Sequence, residues 1–202
     1  MKRDSCPSRA ASFIIRPARE SDAAACLEIY APFVRDTATS FEQGVPSLEE
    51  YQGRIRETLR RTPWLVAEQE GQVAGFAYAG RHRERAAYQW SVEVTVYLAP
   101  QFQRQGLGRR LYAPLFQCLR AQGFCNAFAV ITLPNPASVA LHEKLGFLPV
   151  GMFEKAGFKL GRWHDVGWWR LPLREAPDDP EAPRPLEDLL RKRSWEELLA
   201  ET

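Results

Sequence analysis

Two stretches of this chain carry residue types that can do chemistry, and they are close neighbours in sequence. The first is QRQGLGRRL, residues 103–111, where Gly106 and Gly108 sit among Arg104, Arg109 and Arg110. A glycine turn that leads from a strand into a helix presents unpaired backbone N–H groups, and the helix dipole adds positive potential at the same point. Glycine lets a phosphate approach the backbone closely, and the arginines add formal charge. The turn therefore suits a phosphate or a pyrophosphate. The second stretch is SVEVTVYL, residues 91–98. Ser91, Glu93, Thr95 and Tyr97 alternate with Val92, Val94, Val96 and Leu98. Strand periodicity puts the polar set on one face and the apolar set on the other. Glu93 is thus a carboxylate on a central strand, just ahead of the phosphate turn. Partial desolvation would raise its pKa and make it a better base near neutrality. A structural ion pair, with Arg85 as partner, is the competing role for Glu93.

Three phosphate-binding patterns compete for the turn. The dinucleotide fingerprint needs a third glycine where Leu111 stands. The P-loop needs a Lys followed by Ser or Thr, and neither is present. The acetyl-coenzyme A signature, Q/R-x-x-G-x-G/A, is matched in full by Gln103, Gly106 and Gly108. A pattern this short is weak alone, since a helix start with ordinary glycines would also satisfy it.

The elements that must position these residues can be read from periodicity and punctuation. FIIRPA, near 13–18, predicts a strand. ESDAAACLEIYAPFVRD predicts a helix with Ser21 or Asp22 as its cap. Ser47 and Glu50 form a capping box for a helix that runs to about Arg60. WLVAEQ and QVAGFAYAG predict a strand pair joined at Glu70 and Gly71, and RHRERAA a polar connection. YQWSVEVTVYL reads as the longest strand. The helix after the glycine turn reaches Gln122, with Gly123 past its end. NAFAVITL predicts a strand buried on both faces. NPASVALHEKLGF predicts a helix capped by Asn135, with Pro136 at its first position and Gly146 beyond it. Two closing strands follow. The strand–helix–strand unit over 88–133 implies a partly parallel sheet covered by helices. The expected fold is α/β, a mixed central sheet of six to seven strands with helices on both faces. Residues 1–12 are expected to form a loose arm and 13–173 the domain. Residues 174–202 are expected to form a Pro-rich linker and a short, peripheral helix.

Bulk properties narrow the function classes. The net charge of +2 is too balanced for a nucleic-acid or membrane-surface protein. The four cysteines form no C-x-x-C pair and only three histidines accompany them, so no metal site is expected. No apolar run is long enough to span a membrane, and the N-terminus lacks a signal-peptide core. A reducing, cytoplasmic setting is expected.

The blocks PWLVAE, VAGFAYAG, QGLGRRLY, AVITLPN, SVALHEKLGF and GRWHDVGWW occur in the order found in the GNAT superfamily of acyltransferases. Within it, residues 13–173 most resemble the phosphinothricin and methionine sulfoximine N-acetyltransferases. The resemblance implies transfer of an acetyl group from acetyl-CoA to the amino group of a small amino-acid-like substrate. The amine would attack directly in a ternary complex. Glu93 would be the general base, as related acetyltransferases carry a glutamate here. Backbone groups of Val96, Tyr97 and Leu98 would pair with the pantetheine arm. Arg104, Gln105, Gly106, Leu107, Gly108 and Arg109 would wrap the pyrophosphate, and Asn135 would contact the cofactor arm. Many superfamily members place a tyrosine where this chain has His142; the histidine would be either a proton donor to the thiolate or only a cofactor contact.

For the acceptor, Arg83 and Arg85 are candidates to hold an α-carboxylate, with Arg85 preferred because the phosphinothricin enzyme also has arginine there. Phe41, Tyr88, Thr95 and Trp90 are candidates for the pocket around Glu93. Phe41 is followed by Glu42, where the phosphinothricin enzyme has arginine, which weighs against phosphinothricin and leaves methionine sulfoximine or another amino acid open. The narrower family's usual role is resistance to such compounds, and it commonly pairs into homodimers. Two other functions stay open: acetylation of another amine such as a protein N-terminus, and a non-catalytic acetyl-CoA-binding module.

Overall fold

The computed structural model describes residues 12–200. Of the arm expected over 1–12, only Ser12 falls within them. Seven strands form one sheet: β1 Ile14–Pro17, β2 Trp64–Gln69, β3 Gln72–Arg81, β4 Ser91–Leu98, β5 Asn126–Leu133, β6 Leu148–Lys159 and β7 Arg162–Pro172. Their order across the sheet is β1-β2-β3-β4-β5-β7-β6. Every neighbouring pair is antiparallel except β4 with β5, which are parallel and joined through a helix as the sequence implied. The helices are α1 Ala23–Asp36, α2 Leu48–Arg61, α3 Leu107–Gln122, α4 Pro136–Lys144, α5 Leu186–Leu190 and α6 Trp195–Ala200.

The alternation in β4 divides the core. Val92 and Val94 are buried with Leu107, Leu111, Leu115 and Leu119 of α3. Tyr97 lies on the opposite face, buried with Ile29 and Tyr30 of α1 and Tyr51 and Ile55 of α2. Helices therefore cover both faces of the sheet. Caps fix where they begin. Ser47 accepts from the Glu50 N–H while Glu50 accepts from the Ser47 N–H, the expected capping box. Gly123 ends α3 at φ 100°, a left-handed position that glycine adopts without a steric cost.

Four details differ from expectation. Asp22 makes no cap bond to α1; its carboxylate accepts the Arg19 N–H at 2.7 Å in the turn before it and takes a two-pronged contact from Arg16 at 2.8 Å on each oxygen, which ties β1 to the start of α1. β4 is not the longest strand, because a 3₁₀ turn at Ala86–Tyr88 takes the residues before it; β6 has 12 residues. β5 is not covered on both faces: Val130 is 40% exposed, because α1 and α2 stop at β4 and leave that side of β5, β7 and β6 open. The tail is docked and contains two short helices, with Leu186 and Leu198 fully buried.

Candidate active site

The site forms where β4 and β5 part. Their pairing covers only Ser91–Glu93 against Asn126–Phe128, while β4 continues to Leu98 and β5 to Leu133. The backbone of β4 from Val94 to Leu98 thus lines a wedge, with Asn135 at the end of its other bank. Asn135 caps α4 by accepting the Ser138 N–H at 3.1 Å. Val96 and Leu98 are half-buried along this edge, and the Tyr97 ring points away into the α1–α2 cluster.

The glycine turn closes the mouth of the wedge. Arg104 and Gly106 both adopt positive φ, at 61° and 75°. For Arg104 that is an uncommon conformation for a side-chain-bearing residue. The first helical acceptor in use is the Gly106 carbonyl, bonded by the Arg110 N–H at 3.2 Å. The N–H groups of Leu107, Gly108 and Arg109 have no acceptor within the helix. A Cβ added to Gly106 would meet nothing within 4 Å, so the space over this backbone is open. Gly108 has a second duty: a Cβ there would lie 3.0 Å from Leu141, so it lets α3 approach α4. Arg104, Gln105 and Arg109 are exposed, and among the described residues neither arginine has an acidic partner. Arg110 is spent elsewhere, on the Phe13 carbonyl and ring.

At the inner end of the wedge stands Glu93. Burial raises its carboxyl above the ordinary range, and His82 and Arg83 pull partly against that rise. One carboxylate oxygen meets His82 Nδ1 at 3.1 Å and Arg83 Nη1 at 3.3 Å. The partner expected for Glu93, Arg85, is instead an exposed residue at the head of the 3₁₀ turn. His82 stacks on Phe128 of β5, with ring centroids 4.5 Å apart, and meets Trp168 of β7 edge-on. The Arg83 guanidinium lies over the Trp168 ring at 4.9 Å. Tyr88 packs edge-on against His82, and the Trp168 indole N–H is buried without an acceptor. Thr95, on the same face of β4 as Glu93, bonds Tyr78.

His82, Phe128 and Trp168 were missed in the sequence. The available signal was register: Gly80 and Phe128 are the two cross-strand partners of Glu93, so the residue after β3 and the alternate residues of β5 must meet it. Phe41 lies further off, over Gly157 and His164 of the β6–β7 hairpin. Glu42 is paired with Arg54 of α2, so its charge is compensated. Trp90 turns away from Glu93 toward the tail.

His142 is placed differently from a proton donor to the wedge. It is 4% exposed. Its Nδ1 meets the Ser138 carbonyl at 2.8 Å, and a carbonyl only accepts, so Nδ1 carries the proton. Nε2 is then the acceptor of the Tyr112 hydroxyl at 3.1 Å. Burial lowers its pKa, which keeps the ring neutral. Both nitrogens are used internally, so His142 joins α4 to α3.

Two cavities adjoin the site without containing Glu93. One of about 430 Å³ lies at the start of β4, lined by Gly80, Arg81 and Ser91 with Arg61 and Arg184. The other, of about 510 Å³, lies between α1 and the residues after β4.

A sheet that splays beside a helix start with open backbone N–H groups, with a desolvated carboxylate at the vertex, is an arrangement suited to an acyl-CoA-using transferase. The acetyltransferase (GNAT) domain family matches residues 15–168, and the chain belongs to that family as an acetyl-CoA-dependent N-acetyltransferase. It is 44% identical over 172 residues to the phosphinothricin N-acetyltransferase of Streptomyces viridochromogenes, covering 85% of this chain and 93% of that protein. It is 36% identical to the L-methionine sulfoximine/L-methionine sulfone acetyltransferase of Salmonella typhimurium, covering 81% and 98%. A phosphinothricin acetyltransferase from Sinorhizobium meliloti in complex with acetyl-CoA shares the fold at a TM-score of 0.80 and 35% identity, covering 84% and 93%. Enzymatic N-acetylation therefore replaces the non-catalytic binding module as the function. Among the described residues no helix is long and apolar enough to cross a membrane.

Proposed function

We propose that this enzyme acetylates the α-amino group of a small amino acid or amino-acid analogue of the methionine sulfoximine or phosphinothricin kind. The observation that carries this is the pairing at the vertex: the desolvated Glu93 carboxylate and the Arg83 guanidinium, 3.3 Å apart. A small amino acid brings an ammonium and a carboxylate on adjacent carbons, and this pair offers a base for one and a cation for the other. The Arg83 guanidinium, 4.9 Å over the Trp168 ring, takes the carboxylate-binding role in place of Arg85. The buried Trp168 N–H adds a donor for the acceptor's polar groups.

Acetyl-CoA supplies the acetyl group. Val96, Tyr97 and Leu98 hold its arm along the free edge of β4, Asn135 flanks the arm, and residues 104–109 receive the pyrophosphate. Glu93 takes a proton from the substrate ammonium. The freed amine attacks the thioester carbonyl, a C–N bond forms and the C–S bond breaks; the remaining excess proton on nitrogen passes through solvent to the departing CoA sulfur, which leaves as the thiol. His142 positions α4 against α3 and exchanges no proton with the thiolate. No metal takes part in this scheme.

The edge of the sheet at β6 supports a homodimer. Leu148 and Phe153 on the open face of β6, and Met152 and Phe158 on its other face, are each more than half exposed, an apolar edge that a second copy would cover. A cytoplasmic setting and a role in resistance to amino-acid-analogue toxins fit the same function. A coupled thiol-release assay over a panel of amino acids, methionine sulfoximine, phosphinothricin and short peptides tests it. Turnover of an α-amino acid is expected. Turnover confined to peptide N-termini would overturn the acceptor class.

A further inference from the structure

The family match ends at residue 168 and β7 at Pro172, yet the chain from 174 onward is firmly attached to the domain. Leu186, Leu189 and Leu198 are buried, the last two against Cys118 of α3. The Arg184 N–H donates to the Gln122 carbonyl at 2.8 Å. The Gln122 side-chain amide returns a bond to the Arg184 carbonyl at 2.8 Å and donates to the Arg61 carbonyl at 2.6 Å. This clamp ties the tail to the ends of α2 and α3 at once. Pro183 passes 3.7 Å from where a Cβ on Gly123 would stand. Pro177, Pro180, Pro183 and Pro185 restrict φ along the segment, which lowers the entropy lost in holding it extended.

Just before the clamp, the Glu181 carbonyl accepts the Trp90 indole N–H at 2.8 Å. Trp90 is the last residue of the loop that carries His82, Arg83 and Tyr88. Its own carbonyl accepts the N–H groups of Cys125 and Asn126, at 2.8 and 3.2 Å, where β5 begins. Trp90 thus joins the start of β4, the start of β5 and the tail. Two residues earlier, Tyr88 packs on His82, which bonds Glu93. The same tail residues, Pro183, Arg184 and Pro185, wall the cavity beneath Gly80 and Ser91, which flank Glu93.

We infer that residues 174–190 are a strap that orders the acceptor loop, residues 82–90, and that Trp90 is the positioning residue through which it acts. Among the described residues, the strap's hydrogen bonds to the domain run to Trp90 and Gln122, and none runs to the glycine turn or the free edge of β4. The strap therefore acts on acceptor binding and leaves acetyl-CoA binding alone. The inference rests on the acceptor site proposed above, and one arm of its test is independent of it.

Trp90→Phe keeps an aromatic ring and removes only the donor. In the full chain, the acceptor KM is expected to rise about fivefold, with kcat and the acetyl-CoA KM within about twofold of the parent. Amide hydrogen exchange over 82–90, measured without any amine, is expected to quicken while α3 is unchanged. Glu181→Ala is expected to be nearly silent, because the backbone carbonyl that Trp90 uses is kept and the side chain makes only an exposed ion pair with Arg184 at 3.9 Å. Leu186→Ala loosens the strap from its far side and is expected to give the same exchange pattern; it also serves if Trp90→Phe does not fold. An unchanged acceptor KM with unchanged exchange over 82–90 overturns the strap, as does a parallel rise in the acetyl-CoA KM. If the parent turns over no amino acid, the acceptor reading fails by itself, and the exchange measurements still decide the strap.

Discussion

The glycine turn and the acceptor loop lie at opposite ends of β4 and are built on different principles. The turn, residues 103–108, offers backbone N–H groups, positive φ at Arg104 and Gly106, and open space over Gly106. Nearly everything it needs is local in the chain. The acceptor loop, residues 82–90, offers side chains, and each is held by another element: His82 by Phe128 of β5, Arg83 by Trp168 of β7, Trp90 by the tail. A common donor can be held by backbone, which tolerates substitution around it. A particular acceptor is selected by side chains, which vary with the elements that support them. The first region should therefore respond to changes of backbone conformation and the second to changes of side-chain chemistry.

The largest expected effect falls at the vertex the two regions share. Glu93→Gln should lower kcat by about 100-fold or more, with acetyl-CoA affinity nearly intact. Burial raises the Glu93 pKa, so turnover should decline as pH falls through that raised value and level off above it. The ionised form is the one disfavoured by folding, so the stability Glu93 contributes is present at low pH and lost as pH rises through its folded pKa. The Gln variant should then be at least as thermostable as the parent at neutral pH. Near-normal kcat would remove Glu93 from the base role, and a clear drop in Tm at neutral pH would show that its pairs with His82 and Arg83 outweigh its desolvation.

Gly106→Val comes next. It places a branched side chain at φ 75° and in the space over the turn, so the acetyl-CoA KM should rise about tenfold while the acceptor KM holds. Unchanged cofactor affinity would make the turn structural only. On the acceptor side, Arg83→Ala should raise the acceptor KM about tenfold and leave the acetyl-CoA KM alone. It also removes a cation that lowers the Glu93 pKa, so the acid limb of the pH profile should move upward. Arg85→Ala should do neither. The reverse ranking would return the carboxylate role to Arg85.

The smallest effect belongs to His142. Its folded pKa is lowered, so the stability it contributes is present above its ordinary value, about 6.5, and lost as pH falls below it. Melting temperatures of the parent should decline from pH 7.5 to pH 5, and His142→Gln should flatten that decline. Loss of kcat in this variant without loss of stability would restore the proton-donor role.

Much of this was legible in the sequence because the signals were local. Alternation in SVEVTVYL put Glu93 and Val94 on opposite faces, and the α3 core shows the same division. The Ser47 box, Gly123 and Asn135 each marked a helix end through a bond or a dihedral within a few residues. His82 was not legible, since its meeting with Glu93 depends on a strand register. NAFAVITL reads as fully buried, and only the extent of α1 and α2 leaves one of its faces open. His142 carried a chemistry-capable ring, and the surrounding packing assigned both its nitrogens to internal bonds.

The sequence by itself determined the proposed donor side: a glycine turn at a helix start, a carboxylate on the strand before it, and the helices that flank them. These follow from periodicity and from the conformational needs of single residues, which act over a few positions. The tertiary structure alone decided the acceptor side: which arginine faces Glu93, which aromatic rings support it, and how the tail reaches Trp90. Those contacts join residues as far apart as Trp90 and Glu181, and only chain folding into one sheet, with its register and its uncovered face, brings them within bonding distance.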